Sequence, residues 1–378
     1  MTWPMRRVSE LCLLAVDCVN KTAPRLDYET PYKMIRTTNI KSGFVYLDDV
    51  GYVSEETFEK WTRRSKPQYG DVILTREAPV GEIGRFTSND DSVFLGQRLF
   101  QYRADPDLLD WNFLAYALQS HEVQGRLRNM GFGATVEHIK VGDAENLLVP
   151  CPPIAIQRSI GSTLSSYDDL IENNRRRMAL LEESARLLYR EWFVRLRFPG
   201  YEHTPVVDGV PKGWERKSVG ESITLNYGKS LKAEIRVEGD YPVYGSSGIV
   251  GTHEKPLVQG PAIVLGRKGN VGSVYWSSKS FYPIDTVYFV APESSSLYLF
   301  YALKNMHFIS TDVAVPGLNR DFAYSRLLLH PPVTLLRSFH ESVTQIHMQL
   351  DKLGQMNEKL RTARDLLLPR LMSGELAV

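Results

Sequence analysis

The sequence has few of the features expected of a secreted protein or a membrane protein. It contains only three cysteines, Cys12, Cys18 and Cys151, whose spacing fits no zinc site and whose odd number fits no complete disulfide framework. The apolar run near the N-terminus is too short and broken for a signal peptide, and no stretch approaches the length of a membrane span. We therefore expect a reduced, cytoplasmic setting and no membrane partner.

A strong net charge is also absent. The 45 lysines and arginines nearly balance 44 acidic residues, which leaves a formal net charge of +1. No overall electrostatic field attracts nucleic acid, so any DNA-binding surface must be local. At 378 residues and 43% hydrophobic content, the chain is long enough for two or three globular domains.

Sequence signals of catalysis fail on inspection. Gly228–Ser230 resembles the end of a phosphate-binding loop, but Ile223 occupies the position where that loop needs a glycine. The proline pairs at 152–153 and 331–332 lack the flanking residues of an amino-methyltransferase site, and the eight histidines form no metal-binding pair. We expect no catalytic residue, no metal site and no cofactor bound by this chain.

What the sequence does contain is an internal duplication. Residues 3–11 resemble residues 214–222 at an offset of 211, and residues 72–81 resemble residues 263–272 at an offset of 191. The proline pairs recur at an offset of 179. The matches keep the same order while the offset falls, so the second copy has the shorter loops.

A heptad pattern follows each proline pair and predicts two long helices that pack together. An antiparallel pair around a pseudo-twofold axis would place Asn174 opposite Asn357, and a buried asparagine pair of this kind fixes the register. The alternative is two unrelated surface helices with one solvated asparagine each. The predicted seam consists of Ile160, Leu164, Ile171, Asn174, Met178, Leu181 and Leu188 in the first helix, and Val343, Ile346, Leu350, Leu353, Asn357, Leu360 and Leu367 in the second.

Each copy also contains short apolar runs between turn residues, which predict strands at 71–74, 99–102, 262–265 and 286–290. Short helices are predicted at 109–120 and 296–306. The predicted fold class is α+β, with two tandem-repeat globular domains separated by an intramolecular antiparallel two-helix coiled coil. The predicted boundaries are 1–152 for the first globular domain, 153–197 for the first long helix, 198–213 for a linker, 214–332 for the second globular domain and 333–374 for the second long helix.

Two related readers on a helical spacer suit a bipartite DNA target, because B-DNA presents the same face about every 10 base pairs. Diverged loops would make the two half-sites different, so the target would be asymmetric. Arg76 and Arg267 are favoured as base contacts because they hold equivalent positions after a strand; the alternative is a solvated or structural arginine. The DNA-binding candidates, all loop donors and acceptors, are Arg36, Thr37, Thr38, Asn39, Lys41, Arg76, Gln97, Arg98, Thr135, Tyr244, Ser246, Ser247, Arg267, Lys268, Asn270, Asn319 and Arg320.

The run from Leu148 through the prolines to Gln157 and Asp168, with its echo at 331–343, resembles the specificity subunits of type I restriction–modification systems. The family usually has Glu-Gln shortly after the prolines, whereas here Ile156 replaces the acid and the second copy has two leucines. The resemblance spans nearly the whole chain. It implies two target-recognition domains, each followed by a long helix, in a non-catalytic chain that binds double-stranded DNA.

The resemblance also implies partner subunits. Two adenine methyltransferase subunits would dock on the helices and use S-adenosylmethionine, and restriction subunits that use ATP with magnesium could join them. The chain would then position a flipped adenine for its partners. Two other hypotheses remain. A non-catalytic protein-interaction scaffold with a coiled-coil spacer predicts no DNA sequence preference, and a self-sufficient DNA-modifying enzyme predicts activity from the isolated chain.

Overall fold

The computed structural model describes residues 3–130, 138–308 and 317–376. The chain forms two compact units. Unit 1 comprises residues 1–173 together with 357–378, and unit 2 comprises residues 174–356. Each unit therefore contains one globular domain and a segment of both long helices.

The strands of the first globular domain are short and belong to three sheets. They are β1 (Met5–Arg7), β2 (Cys12–Asp17), β3 (Lys33–Ile35), β4 (Ile40–Lys41), β5 (Gly43–Val45), β6 (Gly51–Tyr52), β7 (Val72–Thr75), β8 (Ile83–Arg85), β9 (Val93–Leu95), β10 (Leu99–Ala104) and β11 (Leu148–Pro150). The helices that accompany them are α1 (Glu55–Trp61), α2 (Trp111–Gln119), α3 (His121–Met130), α4 (Val141–Glu145) and the long α5 (Ile154–Tyr189), which continues as a π-helical turn at Arg190–Val194.

The second globular domain repeats this composition. Its strands are β12 (Val206–Val207), β13 (Val210–Pro211), β14 (Glu215–Ser218), β15 (Leu225–Tyr227), β16 (Tyr241–Gly245), β17 (Gly248–His253), β18 (Ala262–Gly266), β19 (Val274–Ser277), β20 (Tyr282–Pro283), β21 (Val287–Val290) and β22 (Leu327–His330). Its helices are α6 (Val219–Ser222), α7 (Leu297–Asn305) and α8 (Arg320–Tyr324), followed by the long α9 (Val333–Met372).

The two globular domains have the same strand topology. The strand order β2-β10-β7-β8 in unit 1 corresponds to β15-β21-β18-β19 in unit 2, and unit 1 extends this sheet with β5 and β4. In the three-stranded sheets, β3 and β16 are each antiparallel to one neighbour and parallel to the other. A strand near the start of each globular domain pairs antiparallel with its last strand, as β1–β11 in the first domain and β14–β22 in the second. The predicted duplication and the α+β class are therefore confirmed.

A short buried helix lies at the centre of each main core. The Asp110 carboxylate caps α2 by accepting from the amide of Phe113, and the Ser296 hydroxyl caps α7 by accepting from the amide of Leu299. An unbroken apolar run then follows in each helix, which suits burial on every side. In unit 1, Gly161 of α5 approaches the start of α2 so closely that a Cβ there would lie 2.5 Å from the Asp110 carboxylate.

The long helices run antiparallel. In unit 1 the first half of α5 meets the end of α9, because Arg364 pairs with Asp168 and the Asn357 amide donates to the carbonyl oxygen of Ile171 at 3.4 Å. In unit 2 the end of α5 meets the start of α9, where the rings of Phe193 and Phe339 lie 5.0 Å apart. All predicted seam residues are buried or half-buried. The pairing of Asn174 with Asn357 stays a prediction.

Candidate nucleic-acid interface

In unit 2, loops that are distant in sequence form one surface. The amide of Asn270 donates to the Ser246 hydroxyl at 3.4 Å, which joins the loop after β18 to the turn between β16 and β17. The amide of Leu318 donates to the carbonyl oxygen of Arg267 at 2.8 Å and adds the start of α8. The unit 2 face therefore contains seven of the predicted residues, namely Ser246, Ser247, Arg267, Lys268, Asn270, Asn319 and Arg320.

An open cavity of about 450 Å³ lies on the unit 2 face. The guanidinium carbons of Arg267 and Arg320 lie 5.0 and 4.3 Å from the ring centre of Tyr227, and 5.8 and 5.9 Å from that of Tyr288. The two arginines thus stack against the same pair of rings. Burial raises the pKa of Tyr288, and the nearby Arg267 opposes that shift. The cavity is lined by Tyr227, Arg267, Lys268, Tyr288, Gly317, Leu318, Asn319, Arg320 and Asp321.

The other polar candidates of unit 2 have varied surroundings. Tyr244 is buried in the core, and its ring lies 5.4 Å from that of Phe281, so its contacts serve packing. Ser246 is also buried, and its hydroxyl accepts the loop hydrogen bond from Asn270. The Asn319 side chain caps α8 by accepting from the amide of Asp321 at 2.7 Å. Ser247, Lys268 and Asn270 are exposed.

Unit 1 brings its candidate loops together in the same way. The Thr37 hydroxyl donates to the carbonyl oxygen of Ala78 at 3.0 Å, and the amide of Arg76 donates to the carbonyl oxygen of Arg98 at 2.8 Å. The unit 1 face consists of Arg36, Thr37, Thr38, Lys41, Gln97 and Arg98 with the turn after β7. Thr135 lies outside the described residues.

The arginines of unit 1 are paired with acids. Arg36 lies 3.2 Å from the Asp49 carboxylate, and Arg98 lies 2.9 Å from the Glu77 carboxylate. Arg76 is 7% exposed, donates from Nε to the carbonyl oxygen of Ile139 at 3.0 Å and lies 3.9 Å from the carboxylate of Asp17. These contacts hold the Arg76 side chain within unit 1, and its contact with DNA stays a prediction.

Asn39 and Gln97 also make contacts within unit 1. The Asn39 amide is buried, accepts from the amide of Arg36 at 2.9 Å and donates to the carbonyl oxygens of Tyr46 and Asp49. Gln97 accepts a hydrogen bond from the Thr22 hydroxyl. Thr38 and Lys41 are exposed, and the Lys41 amine lies 5.3 Å from the ring centre of Tyr46. Within unit 1, Thr38, Lys41 and Arg98 thus have the most accessible polar side chains among the described candidates.

The sequence analysis missed the residues that most distinguish the two faces. Tyr227 pairs with Tyr288 in the ladder of β15 and β21, and Asp17 pairs with Phe100 at the corresponding place in β2 and β10. Tyr227 and Asp17 therefore hold equivalent positions. The β15 segment was not predicted as a strand, so the alignment that would have matched these two residues could not be made.

Two features are absent from the described residues. Among residues 3–130, 138–308 and 317–376, no group of three or more His, Cys, Asp or Glu side chains could hold a metal ion. No helix in the described part of the chain is both long enough and apolar enough to cross a bilayer.

Comparison with known proteins identifies relatives over most of the chain. The profile of the family "Type I restriction modification DNA specificity domain" matches residues 1–183 and 211–322. The chain is 24% identical over 362 residues to the type I restriction enzyme MjaIX specificity subunit of Methanocaldococcus jannaschii, covering 86% of this chain and 82% of that protein. It is 25% identical over 307 residues to a Mycoplasma genitalium protein that bears the name of a type I specificity subunit, covering 77% of this chain and 78% of that protein.

The fold is similar to a solved structure. The crystal structure of a type I restriction–modification S subunit from M. genitalium superposes with a TM-score of 0.59 at 21% identity, covering 98% of this chain and 96% of that one. At this identity the match supports the fold alone.

Proposed function

Because the chain belongs to the type I restriction–modification DNA specificity family, we propose that it selects the DNA target for a complex of this type. The chain is a specificity subunit, so methyl transfer and cleavage are the work of other subunits. It recognises a bipartite, asymmetric target. The resemblance found in the sequence is thereby confirmed at the level of the family.

The equal topology of the two globular domains is the observation that carries this proposal. Two domains with one strand order present equivalent loops to DNA, and each domain reads one half-site. The loops differ in chemistry, since Glu77 follows the strand in unit 1 where Lys268 follows it in unit 2. Because equivalent loops carry different side chains, the two domains recognise different half-sites.

Base contacts are assigned to the exposed polar candidates. In unit 1 these are Thr38, Lys41 and Arg98, and in unit 2 they are Ser247, Lys268 and Asn270. Asparagine recognises adenine and lysine recognises guanine in the major groove, whereas serine and threonine accept several bases. The side chains of Asn39, Arg76 and Tyr244 are buried and stabilise these loops.

The partners follow from the same proposal. Two adenine methyltransferase subunits that use S-adenosylmethionine dock on the helices, and restriction subunits that need ATP and magnesium join the complex. The chain binds double-stranded DNA in the cytoplasm and holds a flipped adenine in reach of a partner's active site.

Mapping methylated adenines in cells that carry or lack the chain tests the proposed function. A split motif should disappear with the chain, and Asn270→Ala should alter the half of the motif that unit 2 reads. Asn305→Ala, which changes an exposed asparagine at the end of α7, is the matched control and should leave the motif intact. Unchanged methylation without the chain would contradict the proposal and favour the protein-interaction scaffold.

A further inference from the structure

We propose that Arg267 and Arg320 form a clamp for one backbone phosphate of bound DNA, and that the described residues of unit 1 form no counterpart. The phosphate clamp consists of these two arginines with Tyr227 and Tyr288. It rests on the proposed function, because the phosphate belongs to the DNA that the chain selects. It also changes the role of Arg267 from the base contact predicted from the sequence to a contact with the backbone.

The geometry holds the two arginines on the walls of the cavity. Both guanidinium groups stack on Tyr227, within 5.0 Å of its ring centre, and Arg267 also donates to the carbonyl oxygen of Asp285 at 3.0 Å. A guanidinium is planar, and stacking on an aromatic face restricts the directions in which its N–H groups point. That arrangement suits bidentate binding of a phosphate.

The lining of the cavity has an excess of positive charge. Arg267, Lys268 and Arg320 line the cavity together with the acid Asp321. The Nε of Arg320 is buried and has no hydrogen-bond acceptor among the described residues. Three neighbouring positive charges are unfavourable, and a phosphate in the cavity would relieve their repulsion.

A phosphate fits better than a base edge. A base-reading arginine extends into the major groove and places its fork against guanine. Arg267 and Arg320 instead lie against tyrosine rings at a concave site that both of them line together with Lys268. Contacts of this kind fix the protein on the backbone and carry no sequence information.

Unit 1 has acids at the positions equivalent to Tyr227 of the clamp and to the neighbouring Lys268. Asp17 occupies the position of Tyr227 and lies 3.9 Å from Arg76, and Glu77 occupies the position of Lys268 and pairs with Arg98. The positive charge that a phosphate would meet in unit 2 is already neutralised in unit 1. The electrostatic part of DNA binding is therefore concentrated on one half of the target.

The first test measures DNA binding by the full chain as a function of salt, using fluorescence anisotropy. Arg320→Gln should reduce the slope of log K against log salt by about 1, as expected for one lost phosphate contact, and leave the preferred sequence unchanged. Tyr227→Leu, which keeps both arginines but removes their shared ring, should act in the same direction. Arg337→Gln, an exposed arginine on α9, is the matched control and should keep the wild-type slope.

The second test uses inorganic pyrophosphate without DNA. Pyrophosphate should raise the melting temperature of the full chain above that of a sodium chloride control at equal ionic strength, and Arg320→Gln should abolish the difference. If the chain binds no DNA but shows this dependence on Arg320, the two arginines bind phosphate, while the proposed function and the contact with DNA both fail. If DNA binds and Arg320→Gln changes the preferred base at an unchanged salt slope, or changes neither property, the clamp is wrong.

Discussion

Units 1 and 2 differ in the side-chain contacts between the globular domain and the long helices. In unit 1, Asp168 of α5 accepts from Arg85 at 3.0 Å, from Tyr116 and from Arg364 of α9, and the side chains of Asp168 and Arg85 are only 3% and 2% exposed. In unit 2, His347 holds the position of Asp168. It hydrogen-bonds to Tyr301 at 2.9 Å and lies 6.1 Å from the ring of Trp276.

We call the contacts around Asp168 and His347 the joints of units 1 and 2. The two joints have equivalent backbone positions but different side-chain interactions. The ladder of β7 and β8 matches that of β18 and β19, which makes Arg85 and Trp276 equivalent. A buried ion network is costly to break, because removing one partner leaves the other charged and unsolvated. An aromatic contact loses mainly packing when it is cut. The same strand topology thus accommodates either set of contacts. Equivalent substitutions in the two units should therefore change the free energy of unfolding by different amounts.

The largest effect is expected for Asp168→Ala. It leaves Arg85 buried without its carboxylate and should lower the free energy of unfolding by about 3–5 kcal/mol in urea denaturation. His347→Ala, at the equivalent position, should cost less than half of that. Asp169→Ala is the matched control, because the Asp169 carboxylate is next to Asp168 in the sequence but is exposed. Equal costs at Asp168 and His347 would remove the distinction between the joints.

A smaller effect is expected from pH. Burial lowers the pKa of His347 from 6.5 to about 4, with Lys304 contributing in the same direction and Asp351 opposing. The unfolded chain therefore binds a proton that the folded chain does not, and the free energy of unfolding should fall as the pH falls from 6.5 towards 4. His347→Gln should flatten this region of the stability curve, while Asp168→Ala should keep it. A curve unchanged by His347→Gln would show that the histidine is accessible to protons in the folded chain.

The smallest effect concerns the two faces. Glu77→Lys gives unit 1 the residue found at the equivalent position of unit 2 and releases Arg98 from its ion pair. We expect DNA affinity to rise about threefold at low salt and the salt slope to steepen by about 1 to 2. Glu59→Lys, which changes an exposed acid on α1, is the control for the change in net charge. Equal gains from both variants would mean that overall charge, and not the unit 1 face, sets the affinity.

The repetitive parts of the fold could be predicted from the sequence. The helix predicted at 109–120 is α2 at Trp111–Gln119, and the strand predicted at 262–265 is β18 at Ala262–Gly266. The second long helix, predicted at 333–374, ends at Met372. These elements have strong local signals, namely a capping residue, an apolar run or a heptad seam. Local signals determine where an element lies more reliably than what it contacts.

The chemistry of the faces could not be predicted in the same way. Arg76 looked like a base contact because it follows a strand, but its charge is met by Asp17, which comes from a strand two places away in the sheet. Asn39 was predicted to be a loop donor. Its side-chain oxygen accepts from the amide of Arg36, and its side-chain nitrogen donates to the carbonyl oxygen of Tyr46. Each of these contacts depends on a partner that only the folded chain brings near.

The core of unit 1 has a consequence for biosynthesis. Leu371 and Met372, near the end of α9, are buried among residues of the first globular domain and of α5. A ribosome delivers these side chains after all of unit 2, so the half of the protein that is translated first cannot complete its hydrophobic interior until the end of α9 has been synthesised. Substitutions of Leu371 and Met372 by polar residues would therefore damage unit 1 and not unit 2, although unit 2 directly precedes them in the sequence.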